Sequence, residues 1–177
     1  LRKEGDVKRV FDKIMMPCSK LFTKIEARGV YINLAQMNEV ETKLRADLLA
    51  AETKLKAYGD INWASPKQLG DLLYNKLKLP VIEKTPSGTP ATSESVLKRL
   101  EHPMVSVILD HRAASKQLSA FIEGWKPFID NGHIHPSFKL HGTVTGRLSC
   151  AHTNLQQVPR DPTIRSLLTA PKGWTLV

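Results

Sequence analysis

A chain of 177 residues can bury one substantial core, or a core and a smaller lobe, without disulfide staples. Its two cysteines, Cys18 and Cys150, have no paired spacing, and no stretch resembles a signal peptide or the roughly 20 apolar residues of a membrane span. These features argue against a disulfide scaffold or a membrane protein and predict a reducing, cytoplasmic setting. A formal charge of +9, from 26 basic and 17 acidic residues, favours a polyanionic partner.

In chain order, Val7, Val10, Phe11, Ile14, Cys18, Leu21, Phe22 and Ile25 recur at helical spacing, which predicts a helix over 7–28 with one buried face. Pro17 predicts a kink, Gly29 a stop, and Val30 to Ile32 a short extended link to Asn33, an N-cap. Leu34, Met37, Val40, Leu44, Leu48, Leu55 and Tyr58 continue the spacing in a second long helix ending at Gly59, so a long antiparallel helical hairpin is expected. Ser65, Pro66 and Gln68 form a capping box that opens a helix to about Leu77.

The stretch Glu83 to Ser93, rich in Pro, Gly, Ser and Thr, reads as an exposed, mobile tip. Thr92 or Ser93 then caps a short helix through Leu100, and Pro103 opens another that runs past Arg112 towards Phe121. From Trp125 helical spacing stops and short polar segments with Gly and His predict strands and loops. The final run Gly173 to Val177 reads as the opening of a buried strand. The fold class predicted is therefore mostly α, with shorter helices beside the long hairpin and a small, irregular α+β part after it. From Arg112 on, eight Lys and Arg face three acids, so the last third is strongly cationic.

Chemistry concentrates in Thr143 to Arg165, a run of small donors, amides and arginines with few apolar residues. Thr145, Gly146, Arg147, Leu148, Ser149, Asn154, Leu155, Gln156, Pro159, Ile164, Arg165, Ala170 and Pro171 follow, in order, the motif pattern of family A DNA polymerases, the bacterial DNA polymerase I group, which the chain resembles. The resemblance continues upstream through Ser65-Pro66-Lys67-Gln68-Leu69, Leu79-Pro80-Val81-Ile82, Lys84-Thr85, His102-Pro103 and Ile108-Leu109 with Arg112 and Lys116. Cys150, Thr153 and Gln157 depart from the usual serine, proline and asparagine, and the segment from Pro159 to Ile164 is shortened.

The resemblance implies an entry helix and link at 1–32, a helical thumb at 33–124 and the first part of a palm at 125–177. It implies primer-template DNA as partner, gripped through phosphates without sequence preference and inspected in the minor groove near the primer terminus. Arg147 would reach that groove, with Thr145, Asn154, Gln156, Gln157 and Arg160 near it. Arg112 and Lys116, one turn apart on a helix, would form thumb-base contacts, and Lys84 would stand on the tip. The complete enzyme would use Mg2+ and dNTP with the remaining palm and fingers, while the metal-binding aspartates, and with them any catalytic residue, are expected outside this stretch. Replication in a nucleoid, or of a virus in host cytoplasm, is the implied location.

Other readings of the same residues are weaker. His133, His135, His141, Cys150 and His152 fit no zinc spacing, so no metal site is expected. Ser149 and His152 lack a nucleophile elbow and an acid partner. Cys18, Trp125 and Trp174 read as packing residues. A stand-alone DNA-binding module, or a structural helical hairpin with a basic tail, remain the alternatives to a polymerase fragment.

Overall fold

The computed structural model describes residues 4–175, with side chains from Val7 onward. They fall into two compact units, one running up to Val40 and resuming at Ala120, the other Glu41–Ser119. In the first, Glu4–Val10 (α1), a π-helical stretch Phe11–Met15 and Met16–Arg28 (α2) follow without a break. Pro17 has no N–H to return to the preceding turn. Just ahead of it the ladder widens, the Met16 N–H bonding to the Phe11 carbonyl, and the helix continues past the proline.

The buried face predicted for this helix is a correction. Val7 at 61%, Phe11 at 50%, Ile14 at 58% and Leu21 at 55% remain exposed, and Cys18 is half-buried. Periodicity says which residues share a face; it does not supply the element that covers it. The C-terminal end of α2 does pack, with Phe22 against Phe138 at 5.0 Å between ring centroids.

Gly29 ends α2 with its N–H on the Ile25 carbonyl, and Val30–Tyr31 (β1) begins a small antiparallel sheet. The sheet is completed by Ile129–Asp130 (β2) and His133–Ile134 (β3) in the order β1-β3-β2. Asn131 and Gly132, both at positive φ (47° and 77°), make the two-residue turn whose twist suits the β2-β3 hairpin. Ile32, Met37, Phe121, Ile122, Trp125, Ile134, Ile164 and Leu167 form the buried interior of this unit. Asn33 Oδ1 accepts from the Gln36 N–H at 3.1 Å and caps Leu34–Leu55 (α3), whose first residues belong to this unit and the rest to the other.

In the second unit α3 gives way to a 3₁₀ turn, Lys56–Tyr58, and stops at Gly59. Ser65 Oγ accepts from the Gln68 N–H and opens Pro66–Gly70 (α4), while Gln68 Oε1 reaches back to the Asn62 N–H at 2.7 Å rather than to Ser65. A π-helical stretch, Asp71–Lys76, then Glu94–Leu97 (α5) and Pro103–Gln117 (α6) complete the unit. Its core is Leu55, Trp63, Leu69, Leu72, Leu73, Leu97, Leu100, Met104, Val105 and Ile108, joined by Tyr74.

Back in the first unit, Ser137–Lys139 (β4) pairs antiparallel with Ser149–Ala151 (β5), and Pro162–Arg165 (α7) follows. The strand expected at Gly173 to Val177 is not seen over its described part: a turn precedes Trp174, which is 65% exposed with the Arg28 guanidinium 5.4 Å above its ring. Trp174 is thus no packing anchor, whereas Trp125 is buried and meets Phe121 edge-on. Leu176 and Val177 lie outside the described residues.

Candidate nucleic-acid interface

The Thr-Gly-Arg motif lies on the connection between β4 and β5. Thr143 Oγ1 donates to the Arg147 carbonyl at 2.7 Å, and the Gly146 N–H returns to the Thr143 carbonyl at 3.4 Å. Gly146 takes φ +75°, which β-carbon residues rarely adopt, and no atom stands within 4 Å of where a Cβ would be. The glycine is therefore required by the turn, and it leaves open space beside Arg147. Thr145, Gly146 and Arg147 are all exposed.

Behind this tip the amides act on the protein. Asn154 Oδ1 accepts from the Gln156 N–H at 3.2 Å and caps a 3₁₀ turn, Leu155–Gln157. Gln156 Nε2 donates to the Leu148 carbonyl at 3.2 Å, tying that turn to the residue after Arg147. Gln157 and Arg160 are exposed, and Asp161 caps α7 through the Thr163 N–H at 2.7 Å. Thr145, Arg147, Asn154, Gln156, Gln157 and Arg160 are thus held in one stretch by two local turns and a hairpin.

The mount of that hairpin was not anticipated from sequence. Glu26, on α2, accepts the Phe138 N–H through its carboxylate, and its carbonyl stands 2.8 Å from His135 Nδ1. One signal was present: Glu26 follows Phe22 by one helical turn, so it puts a carboxylate on the face that packs against β4.

In the second unit, Glu83, Lys84 and Pro86 to Pro90 are exposed, as expected, but Thr92 is buried and the segment is a closed structure rather than a loose tip. The Thr85 N–H bonds to the Thr89 carbonyl at 2.8 Å, the Ala91 N–H to the Glu83 carbonyl at 2.9 Å, and Lys84 stands opposite Pro90. The Thr85 and Thr89 hydroxyls meet at 2.7 Å, so the polar residues that read as loop composition satisfy one another. Lys84 is exposed on this hairpin.

Arg112 and Lys116 lie on α6. Lys116 is exposed, and its charge helps hold the Glu94 carboxyl below its usual range, after the nearer Lys98, which bonds that carboxylate. Arg112 is half-buried: its guanidinium donates to the Thr92 carbonyl and lies 3.5 Å from Thr92 Oγ1. Burial depresses the pKa of that guanidinium. Tyr74 and Thr92, the partners around this contact, were also missed. A tyrosine on a buried helical face needs a partner for its hydroxyl, and that was the available signal.

No group of three His, Cys, Asp or Glu among the described residues could share a metal ion. No described helix is long and apolar enough to cross a membrane.

Residues 34–177 match the model of a family described as DNA polymerase family A. Among curated relatives, DNA polymerase I of Pseudomonas aeruginosa is 34% identical over 96% of this chain and 20% of its own length. The thermostable DNA polymerase I of Thermus aquaticus is 33% identical over 99% of this chain and 23% of its own. The chain thus spans about a fifth of the length of such relatives. A solved structure described as the POL domain of Pol1 from M. smegmatis in complex with DNA primer-template and dNTP superposes with a TM-score of 0.85 at 25% identity, covering 94% of this chain and 31% of that one.

Proposed function

Because the chain belongs to DNA polymerase family A, we propose that it is the part of a template-directed DNA polymerase that grips primer-template DNA and contacts the minor groove near the primer terminus. The observation that carries this reading is the exposed Arg147 on a glycine turn whose flanks are braced by Thr143 and Gln156. A long planar donor fork with open space beside it can approach a groove edge, where acceptors occupy similar places in all base pairs. The similar Pol1 domain from M. smegmatis is described with primer-template bound, which supports the same partner here.

In this proposal residues 1–32 are an entry helix and link, 33–124 the thumb and 125–177 the start of the palm. Thr145, Asn154, Gln156, Gln157 and Arg160 line the approach to the primer end, and Lys84 and Lys116 contact phosphates of the duplex behind it. The complete enzyme joins a dNTP to the primer 3′-hydroxyl with the remaining palm and fingers, in the cytoplasmic compartment where the genome is copied. Magnesium would supply charge neutralisation at the phosphates. The described residues offer no cluster of ligands for it, so no step of that chemistry is assigned to them.

The test is fluorescence anisotropy of a labelled primer-template titrated with this chain at several KCl concentrations. Phosphate recognition predicts weak binding, equal for unrelated sequences and falling steeply with salt. Binding indifferent to salt, or confined to one sequence, would overturn the proposal.

A further inference from the structure

The hairpin from Glu83 to Ser93 has no buried apolar residue among Lys84 to Pro90, so its placement must come from its feet. Two successive carbonyls at one foot are each held by a side chain from elsewhere in the same unit. The Tyr74 hydroxyl, from the π-helical stretch, donates to the Ala91 carbonyl at 2.6 Å. Arg112, from α6, donates to the Thr92 carbonyl and reaches Thr92 Oγ1 with its other nitrogen. Thr92 is itself buried. At the opposite foot Arg99 holds the Glu83 carboxylate at 2.6 Å.

We propose that Arg112 is a positioning residue: with Tyr74 it clasps the foot of this hairpin and fixes where Lys84 stands. Lys116, one turn further along α6, is then the residue of that face that meets a phosphate. In its DNA arm this rests on the reading of the chain as a DNA grip. A guanidinium whose fork is turned onto a carbonyl and a hydroxyl of one residue does not offer the same fork to a phosphate. Its depressed pKa, caused by burial, agrees with a group withdrawn from solvent. Burial also raises the pKa of the Tyr74 phenol, in keeping with a hydroxyl that donates rather than ionises.

The test combines amide hydrogen exchange with DNA binding on the 177-residue chain, using Arg112→Lys, Arg112→Gln, Tyr74→Phe and Lys116→Gln. The amides to follow are Thr85 and Ala91, which close the hairpin on the Thr89 and Glu83 carbonyls. Both Arg112 variants are expected to speed exchange at these amides by about tenfold or more, the effect of losing a charge-assisted bond, and Tyr74→Phe by less. Arg112→Lys keeps the charge and the stem, so it separates loss of the fork from failure to fold.

In anisotropy titrations, Arg112→Gln and Arg112→Lys are expected to change the slope of log affinity against log salt alike, by no more than the one contact of the loosened Lys84, while Lys116→Gln lowers it by about 0.9, one phosphate contact. Unchanged exchange in both Arg112 variants overturns the clasp. So does a loss of about 0.9 in slope for Arg112→Gln, with rescue by lysine, because that is a phosphate ligand. If the wild-type chain shows no salt-dependent DNA binding, the DNA reading fails, and the exchange result alone decides the clasp.

Discussion

Arg147 is the residue on which the proposed function can be tried most sharply. In the completed polymerase, Arg147→Ala is expected to slow correct incorporation by roughly ten- to more than a hundredfold. That is the rate equivalent of a charge-assisted hydrogen bond worth about 1.5–3 kcal/mol and made fully only in the transition state. Lysine rescues poorly, lacking the fork. Single-turnover extension of a normal primer and of one whose terminal base lacks its minor-groove acceptor checks this, and additive rather than overlapping losses would refute the contact. Thr153 yields a stability prediction. It is buried to 1% exposure and its hydroxyl has no hydrogen-bond partner among the described residues. Thr153→Val removes that unsatisfied group at nearly the same shape, so thermal unfolding is expected to shift upward by a few degrees, about 1 kcal/mol; a lower Tm would mean the hydroxyl has a partner. The order Thr145, Gly146, Arg147 was legible because glycine before an exposed arginine is a turn with a task. That Arg112 turns inward was not legible: a basic residue at helical spacing gives the face it lies on, while its partner, the Thr92 carbonyl, is fixed only by tertiary structure.

At the scale of elements, the ends of helices were the most legible features, because capping is local chemistry. Asn33, Ser65 and Gly59 act where their residue types placed them, and Pro103 follows His102, whose ring nitrogen accepts from the Met104 N–H at 3.3 Å. The π-helical stretches Phe11–Met15, Asp71–Lys76 and Leu118–Glu123 were not, since one extra residue per turn leaves a periodic pattern almost intact over so short a run. Nor was the hairpin at Lys84, whose composition describes a loop whether or not its hydroxyls bond to one another. Its shape makes a specific claim about the polymerase. Deleting Pro86, Ser87 and Gly88 removes the turn that holds Lys84 out from the unit, and is expected to cut the nucleotides added per binding event several-fold while single-nucleotide incorporation stays nearly intact. Processivity measured with a trap of unlabelled DNA checks it, and equal loss in both assays would show that the hairpin serves the chemistry instead.

For the whole molecule, the exposed stripe on α1 and α2 and the scattered acids bear on the same question, which is what the chain can do by itself. Periodicity predicts a buried face for Val7, Phe11, Ile14 and Leu21, and their exposure shows that sequence reading cannot tell a face that is covered from one that is not. The +9 charge equips the surface for a polyanion, whereas nucleotidyl transfer needs the opposite local arrangement, carboxylates close enough to share two cations. The described acids do not gather that way: Asp12, Glu41 and Glu94 are each engaged by a basic residue on the same helix or helical run, and Glu83 is bridged to Arg99. Ion pairs of this kind hold helices and loops but create no site where a metal replaces its water shell. The purified chain is therefore expected to bind primer-template yet add no nucleotide to it when supplied with magnesium and all four dNTPs, as read on a denaturing gel against a complete family A polymerase. Extension that persists through successive purification steps and disappears in Arg147→Ala would place the chemistry within these residues and refute the assignment of the metal site to other parts of the polymerase.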